Sequence, residues 1–138
     1  LESAPRPAPH AMVGAWRETM VAQERLNKGK NAEAAELLVR LHAADPHNGF
    51  VAGLLATALM RAKEYERAMA VLTPLAEAEG VQAQLLYKLG TCALKLGRRE
   101  EGVAWLARAV ELAPSETRYR TRLAQARGEG GGEAAEDE

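Results

Sequence analysis

The 34 residues from Ala83 to Glu116, AQLLYKLGTCALKLGRREEGVAWLARAVELAPSE, contain the pattern that decides the fold. Apolar residues recur in this stretch at spacings of one to four, as they do on one face of an amphipathic helix. Gly97 interrupts the pattern where a glycine favours the end of a helix, and Pro114 prevents a second helix from continuing far. The stretch is therefore predicted to form two helices joined by a tight turn.

Equivalent residues recur every 34 positions, in ungapped frames that begin at Ala15, Gly49 and Ala83. Some columns hold only small residues. These are expected to let two helix backbones approach closely, because a larger side chain would overpack the crossing at a cost of about 1–3 kcal/mol. The small columns are Ala22, Ala56 and Gly90, and Ala34, Ala68 and Gly102; the apolar columns are Val21, Leu55 and Leu89, and Leu38, Leu72 and Leu106; the turn columns are Gly29, Lys63 and Gly97, and Pro46, Gly80 and Pro114.

The frames resemble the tetratricopeptide repeat, whose 34-residue pattern is W-x2-L-G-x2-Y…A-x3-F…P. The resemblance extends over residues 15–116 and implies an all-α fold, a right-handed superhelical stack of antiparallel helix pairs (an α-solenoid). The first frame departs from it at Glu24 and Arg25, as expected of a terminal repeat without an outer neighbour. The matching residues of the third frame are Leu86, Leu89, Gly90, Ala93, Gly102, Leu106 and Pro114.

Composition sets the predicted boundaries along the chain. Pro5, Pro7 and Pro9 favour an extended linker, whereas glycines followed by clustered acids predict disorder at the other end. The predicted segments are a Pro-rich linker (1–11), three repeats (12–48, 49–82 and 83–116), a capping helix (117–127) and an acidic disordered tail (128–138).

The predicted capping helix follows Ser115-Glu116-Thr117, which is an N-cap signature. Its apolar face, formed by Tyr119, Leu123 and Ala126, is expected to cover the last repeat.

Pro74 lies inside the second helix of the middle repeat and removes a backbone donor. We expect a kink or break near residues 70–74, with Leu75–Glu79 resuming the helix at a changed angle.

Composition excludes several classes of protein. Ala and Leu dominate and aromatic residues make up only 4% of the chain, which favours helix over strand and excludes a β-sandwich or barrel. The net charge of −1 argues against a general nucleic-acid binder, although residues 11–128 carry 17 basic and 13 acidic residues and are modestly basic. No apolar run approaches the roughly 18 residues of a membrane span, so direct membrane insertion is not expected.

The sequence offers few residues suited to catalysis. His10, His42 and His47 match no zinc-ligand spacing, and Cys92 lies on an apolar helical face without a histidine placed to activate it. The arginines of the capping helix are interpreted as a solvated face or as a site for the acidic tail or an acidic partner. We therefore predict a protein that is not an enzyme and needs no metal or cofactor.

The resemblance implies binding in a concave groove lined by the first helix of each repeat. The aromatic and Met side chains in it suit an apolar helix or an extended peptide with some acidic character. For Trp16 and Phe50, packing between adjacent repeats is an equal alternative to lining the groove. Tyr87 is expected to be exposed. The groove positions are Trp16, Thr19, Gln23, Leu26 and Asn27; Phe50, Gly53, Thr57, Met60 and Arg61; and Gln84, Tyr87, Thr91, Leu94 and Lys95, with Leu26, Met60 and Leu94 as an apolar stripe.

Some family members clamp the C-terminal carboxylate of heat-shock chaperones with several basic residues. The matching positions here hold Thr19, Gln23, Leu54, Gln84 and Lys88, of which only one is basic. A clamp on two carboxylates needs several converging donors, so that function is not expected.

The leading hypothesis is a scaffold module that binds a protein or peptide ligand within a larger assembly protein. The alternatives are a chaperone for a secreted bacterial substrate, like those of type III secretion, and a substrate-recruiting arm of a larger enzyme. Self-association through the groove or through the outer face of the first repeat is a further possibility. The compartment stays open between cytoplasm and periplasm.

Overall fold

The computed structural model describes residues 9–128, and their side chains from Gly14 onward. The described part of the chain contains helices and no strands, so the predicted all-α class is confirmed. None of these helices is both long and apolar enough to cross a lipid bilayer. The helices are α1 (Pro9–Asn27), α2 (Asn31–Ala44), α3 (Gly49–Arg61), α4 (Tyr65–Ala76), α5 (Ala83–Lys95), α6 (Arg99–Leu112) and α7 (Thr117–Arg127).

Each sequence frame forms one antiparallel helix pair. Helices α3 and α5 begin at Gly49 and Ala83, the first residues of their frames. The turn inside each pair needs a left-handed residue, which Gly29 (φ 79°), Lys63 (φ 61°) and Gly97 (φ 80°) supply. A glycine adopts this conformation without cost, whereas Lys63 carries a Cβ that makes it unfavourable.

The pairs stack in chain order, and the first helices of neighbouring pairs also touch. Each helix contacts the next, and α3 additionally packs against both α1 and α5. The second helices contribute a fully buried column of leucines, and the small columns are buried as predicted. The first helices therefore lie side by side and present one continuous surface. The buried column consists of Leu38, Leu72 and Leu106.

Helix α7 covers the last pair, as the sequence predicts. Its apolar residues Tyr119, Leu123 and Ala126 are buried. The cap position is Glu116 rather than Ser115, and no side chain there bonds to the helix N-terminus. Residues 129–138, which hold most of the predicted disordered tail, lie outside the described residues.

The first helix starts earlier than predicted. Because α1 begins at Pro9, the assignment of residues 9–11 to a linker is wrong. Proline is favoured at the first position of a helix, where its missing N–H has no intrahelical partner to lose. The remainder of the predicted linker lies outside the described residues.

The predicted break at residues 70–74 is wrong, because α4 is helical through Pro74 and ends at Ala76, whereas the alternative of a kink there stays a prediction. Pro74 has no N–H to donate to the carbonyl of Ala70. Because Ala70 is exposed, water can supply the missing hydrogen bond. The helix does not resume as far as Glu79, so the second pair has the shortest second helix.

The outer side of the first repeat is more exposed than the apolar column of Val21, Leu55 and Leu89 predicts. Val21 is 37% exposed, whereas its counterparts Leu55 and Leu89 are buried. Helix α1 has no described neighbour on that side.

Arginine side chains tie helices together by bonding to the last carbonyls of their neighbours. Arg61 donates to Leu26 O at 2.9 Å, Arg108 donates to Ala76 O at 3.1 Å, and Arg99 donates to Ala126 O at 2.7 Å. Cations at helix C-termini satisfy orphan carbonyls and oppose the helix dipole. The Arg61 bond joins the first helices α3 and α1, whereas the other two join α6 to α4 and to α7.

Candidate functional site

The exposed side of α1, α3 and α5, here called the first-helix surface, is the candidate site. Trp16 and Phe50, which occupy the same position of successive frames, are 59% and 45% exposed. The alternative that they pack between repeats is therefore wrong. Gln84, the third member of this row, is also exposed, as is the parallel row formed by Asn27, Arg61 and Lys95.

Four predicted groove residues are buried and cannot contact a partner. Thr19, Leu26 and Thr91 are only 3%, 4% and 2% exposed. The hydroxyl of Thr19 donates to Ala15 O at 2.7 Å, within its own helix. Gly53, which shares the position of Thr19 in the second frame, is buried as well.

The predicted apolar stripe of Leu26, Met60 and Leu94 does not form. Leu26 belongs to the core, and Met60 and Leu94 are half-buried. Leu94 fills the space beside Gly102, where a Cβ would lie 2.8 Å from its Cδ2. The accessible surface is therefore narrower than predicted.

Gln23 and Thr57, both half-buried, lie between the two exposed rows. The Thr57 hydroxyl donates to Gly53 O at 3.0 Å. Arg61 is held at the edge by its bonds to Leu26 O and, at 3.0 Å, to Asn31 Oδ1. The surface thus combines large aromatic groups with small polar groups and a fixed cation.

Tyr87 is half-buried, so the expectation that it is exposed is wrong. Its ring stacks on Tyr119 of α7, with centroids 4.8 Å apart and planes at 25°. The guanidinium carbons of Arg118 and Arg122 lie 5.1 Å and 5.9 Å from the centroid of Tyr87. Cations over an aromatic face are attracted by its quadrupole.

Sequence reasoning missed that α7 extends the first-helix surface. Thr117, where α7 begins, lies 34 residues after Ala83, where α5 begins. Arg118 accordingly follows Trp16, Phe50 and Gln84 in the same row. Continuing the 34-residue spacing by one more helix would have found it.

A cavity of about 240 Å³ opens beside Phe50, between the loop before α3 and the loop before α5. Leu75, Val81 and Leu85 line it, together with polar groups from His47 and Gln82. Gly49 and Gly53 face the methyl carbons of Leu85, and a Cβ on them would lie 3.7 Å and 3.4 Å away, at ordinary van der Waals distance. Glu79 also lines the cavity, so its wall is both apolar and polar.

Cys92 is fully buried, as predicted for a core residue. Burial raises the pKa of its thiol to about 12, although the charge of Lys88 acts in the opposite direction. A thiol with so high a pKa is not nucleophilic near neutral pH. Within residues 9–128 no group of three or more His, Cys, Asp or Glu is arranged to hold a metal ion.

The sequence profile of the tetratricopeptide repeat matches residues 25–86, and a second profile of the same repeat matches residues 83–116. The chain therefore belongs to the tetratricopeptide-repeat family. No curated protein matches the chain significantly.

Solved structures of tetratricopeptide proteins share the fold. The first such domain of Spaghetti (RPAP3), bound to the HSP90 peptide SRMEEVD, is 20% identical, with a TM-score of 0.78 over 83% of this chain and 90% of that chain. MamA from Desulfovibrio magneticus RS-1 is 20% identical, with a TM-score of 0.75 over 84% of this chain and 67% of that chain. A MamA double mutant is 21% identical, with a TM-score of 0.76 over 83% of this chain, which spans 64% of that protein. At these identities the likeness shows the solenoid fold.

Proposed function

We propose that this chain is a non-catalytic interaction module that binds a peptide or partner helix along the first-helix surface. The observation that carries the proposal is the exposure of Trp16 and Phe50 at equivalent positions of adjacent helices. Large rigid aromatic groups provide contact area at low entropic cost and dominate the energetics of many interfaces. Burial of both rings against a partner would remove a large apolar area from water.

The cavity beside Phe50 gives the partner a place for one apolar side chain. Its volume of about 240 Å³ accommodates one side chain of the partner, for which Leu75, Val81 and Leu85 supply apolar contacts. Phe50 would close over that side chain from the solvent side.

The charges of the surface favour a partner with acidic groups beside the apolar one. Arg61 on α3 and Lys95 on α5 belong to one exposed row of the surface, and Arg118 on α7 continues the other row. Rim charges of this kind speed association and orient the partner more than they raise affinity. The peptide SRMEEVD bound by the RPAP3 domain also combines acidic and apolar residues.

A clamp for two chaperone carboxylates is not part of the proposal. Thr19, at one of the clamp positions, is buried, and Leu54, at another, supplies no donor. The module would instead serve as a scaffold within a larger assembly and recognise its partner mainly through the aromatic row.

Selection of peptides from a random display library tests the proposal. The baits are the wild type, a Trp16→Ala/Phe50→Ala variant and a control variant, Val39→Ala/Leu112→Ala, which removes exposed apolar groups from second helices. We expect the wild type and the control to enrich the same peptides and the first variant to lose them. Equal enrichment by all three baits would contradict the proposal.

A further inference from the structure

Helix α7 is strongly basic and precedes a strongly acidic segment. Residues 117–127 contain four arginines and no acid, whereas residues 129–138 contain five acids and no basic residue. The two are adjacent in the chain, so charge complementarity between them acts at high effective concentration.

The arginines of α7 lie on two different sides of the helix. Arg118 and Arg122 lie over the ring of Tyr87, toward α5. Arg120 donates to Pro114 O at 2.5 Å, and Arg127 lines a separate cavity with Arg99 and Glu100. The first pair places two cations on one aromatic ring at the end of the first-helix surface.

Two guanidinium groups above one ring form a concentrated positive site with an apolar floor. Arginine presents planar N–H donors that match carboxylate oxygens in pairs. The floor is the ring of Tyr87, which stacks on the buried ring of Tyr119. Such a site suits closely spaced carboxylates on an extended chain.

Segment 129–138 is long enough to reach this site. Helix α7 ends at Arg127, and Gly128 turns the chain with φ 79°. The ten residues that follow span at most about 33 Å when extended, whereas the 11 residues of α7 rise about 16 Å. The acids at 133, 136, 137 and 138 can therefore return as far as Arg118.

We propose that the acidic segment 129–138 binds intramolecularly to the site formed by Arg118, Arg122 and Tyr87. It thereby occupies the α7 end of the first-helix surface and competes with any acidic partner for it. The intramolecular contact does not depend on a partner, because both halves of it belong to this chain, whereas the competition rests on the proposed function.

The test compares amide NMR spectra of the 138-residue chain with those of a neutral-segment variant of the same length. The variant carries Glu129→Gln, Glu133→Gln, Glu136→Gln, Asp137→Asn and Glu138→Gln. At about 20 mM salt we expect shift differences at the amides of α5 and α7 around Tyr87, and at about 0.5 M salt we expect these differences to disappear. Coincident spectra outside residues 128–138 at low salt would overturn the proposal.

Two further measurements locate the contact. In an Arg118→Gln/Arg122→Gln background the difference should vanish, whereas in an Arg17→Gln/Arg40→Gln background, which loses the same charge at the other end of the stack, it should remain. If the shift difference persists in the Arg118→Gln/Arg122→Gln background, the segment binds elsewhere, for example beside Arg99 and Arg127. That result would overturn the proposal. Shift differences that grow with protein concentration would mean binding between molecules and would overturn it equally.

Discussion

Gly90 on α5 and Gly102 on α6 face each other so closely that a Cβ on either would lie 3.1 Å from the carbonyl oxygen of the other. The equivalent positions of the other pairs are occupied by alanines that are fully buried. In the third pair, therefore, both small-residue positions of the helix crossing are glycine rather than alanine. There a methyl group has no space to occupy.

Substitution of Gly90 by alanine should destabilise the protein. The added Cβ would lie 2.7 Å from Leu106 Cγ, so overpacking should lower the free energy of unfolding by about 1–3 kcal/mol. Gly14→Ala is the matched control, because a Cβ there meets nothing within 4 Å in helix α1. The control should raise the free energy by up to about 1 kcal/mol through helix propensity. Urea unfolding measures both, and equal stabilisation would refute the close approach.

The turn at Lys63 offers a stabilising change. Its φ of 61° is unfavourable for a residue with a Cβ, so Lys63→Gly should raise the free energy of unfolding by about 0.5–1 kcal/mol. Gly97→Ala, at the equivalent turn with φ 80°, should lower it by a similar amount. Thermal unfolding of the two variants compares them, and shifts of the same sign would contradict the strain at Lys63.

Burial of Cys92 predicts a specific loss of stability at alkaline pH. Its thiol pKa rises from 9.0 to about 12 on folding, so the unfolded chain loses its proton first as the pH rises. The stabilising contribution is complete below pH 9 and declines between pH 9 and about 12. Between pH 8 and 10.5 the wild type should lose about 2 kcal/mol more than Cys92→Ala. Urea unfolding at both pH values checks the difference, and identical losses would count against it.

The stacked pair of Tyr87 and Tyr119 should hold α7 in place. Tyr119 is 6% exposed, and its truncation to alanine should cost about 3 kcal/mol, as is typical of a buried aromatic residue. The control, Thr121→Ala, lies on the exposed side of α7 and should change stability by less than about 0.5 kcal/mol. Calorimetric unfolding of both variants tests this. A loss below about 1 kcal/mol for Tyr119→Ala would mean that α7 contributes little to the stack.

The fold could be predicted from the sequence because a repeat of fixed length constrains every helix by its copies. The frame starts at Gly49 and Ala83 coincide with helix starts, and Thr117 continues the spacing. Boundaries without such copies were predicted less well. Pro9 begins a helix because the missing N–H has no intrahelical partner at that position, and Pro74 stays inside a helix because the carbonyl it leaves unpaired is that of an exposed residue.

The candidate site was only partly predictable for a geometric reason. Positions five and twelve of a frame lie at the border between the core and the exposed side of a helix. Whether Thr19, Leu26 or Leu94 is accessible therefore depends on how closely the next helix approaches. Burial at that border is set by neighbours such as Gly102 and Tyr119, which lie outside the helix concerned. The exposure of Trp16 and Phe50, further from the border, was among the possibilities that the pattern left open.

Amide NMR with a library-selected peptide tests the central claim most directly. The peptide is titrated into the isotopically labelled chain, and the shifted amides are assigned to their helices. The account predicts shifts concentrated on α1, α3 and α5 around Trp16, Phe50 and Arg61. Shifts concentrated on α2, α4 and α6 would contradict it, because the partner would then be bound on the opposite face of the stack.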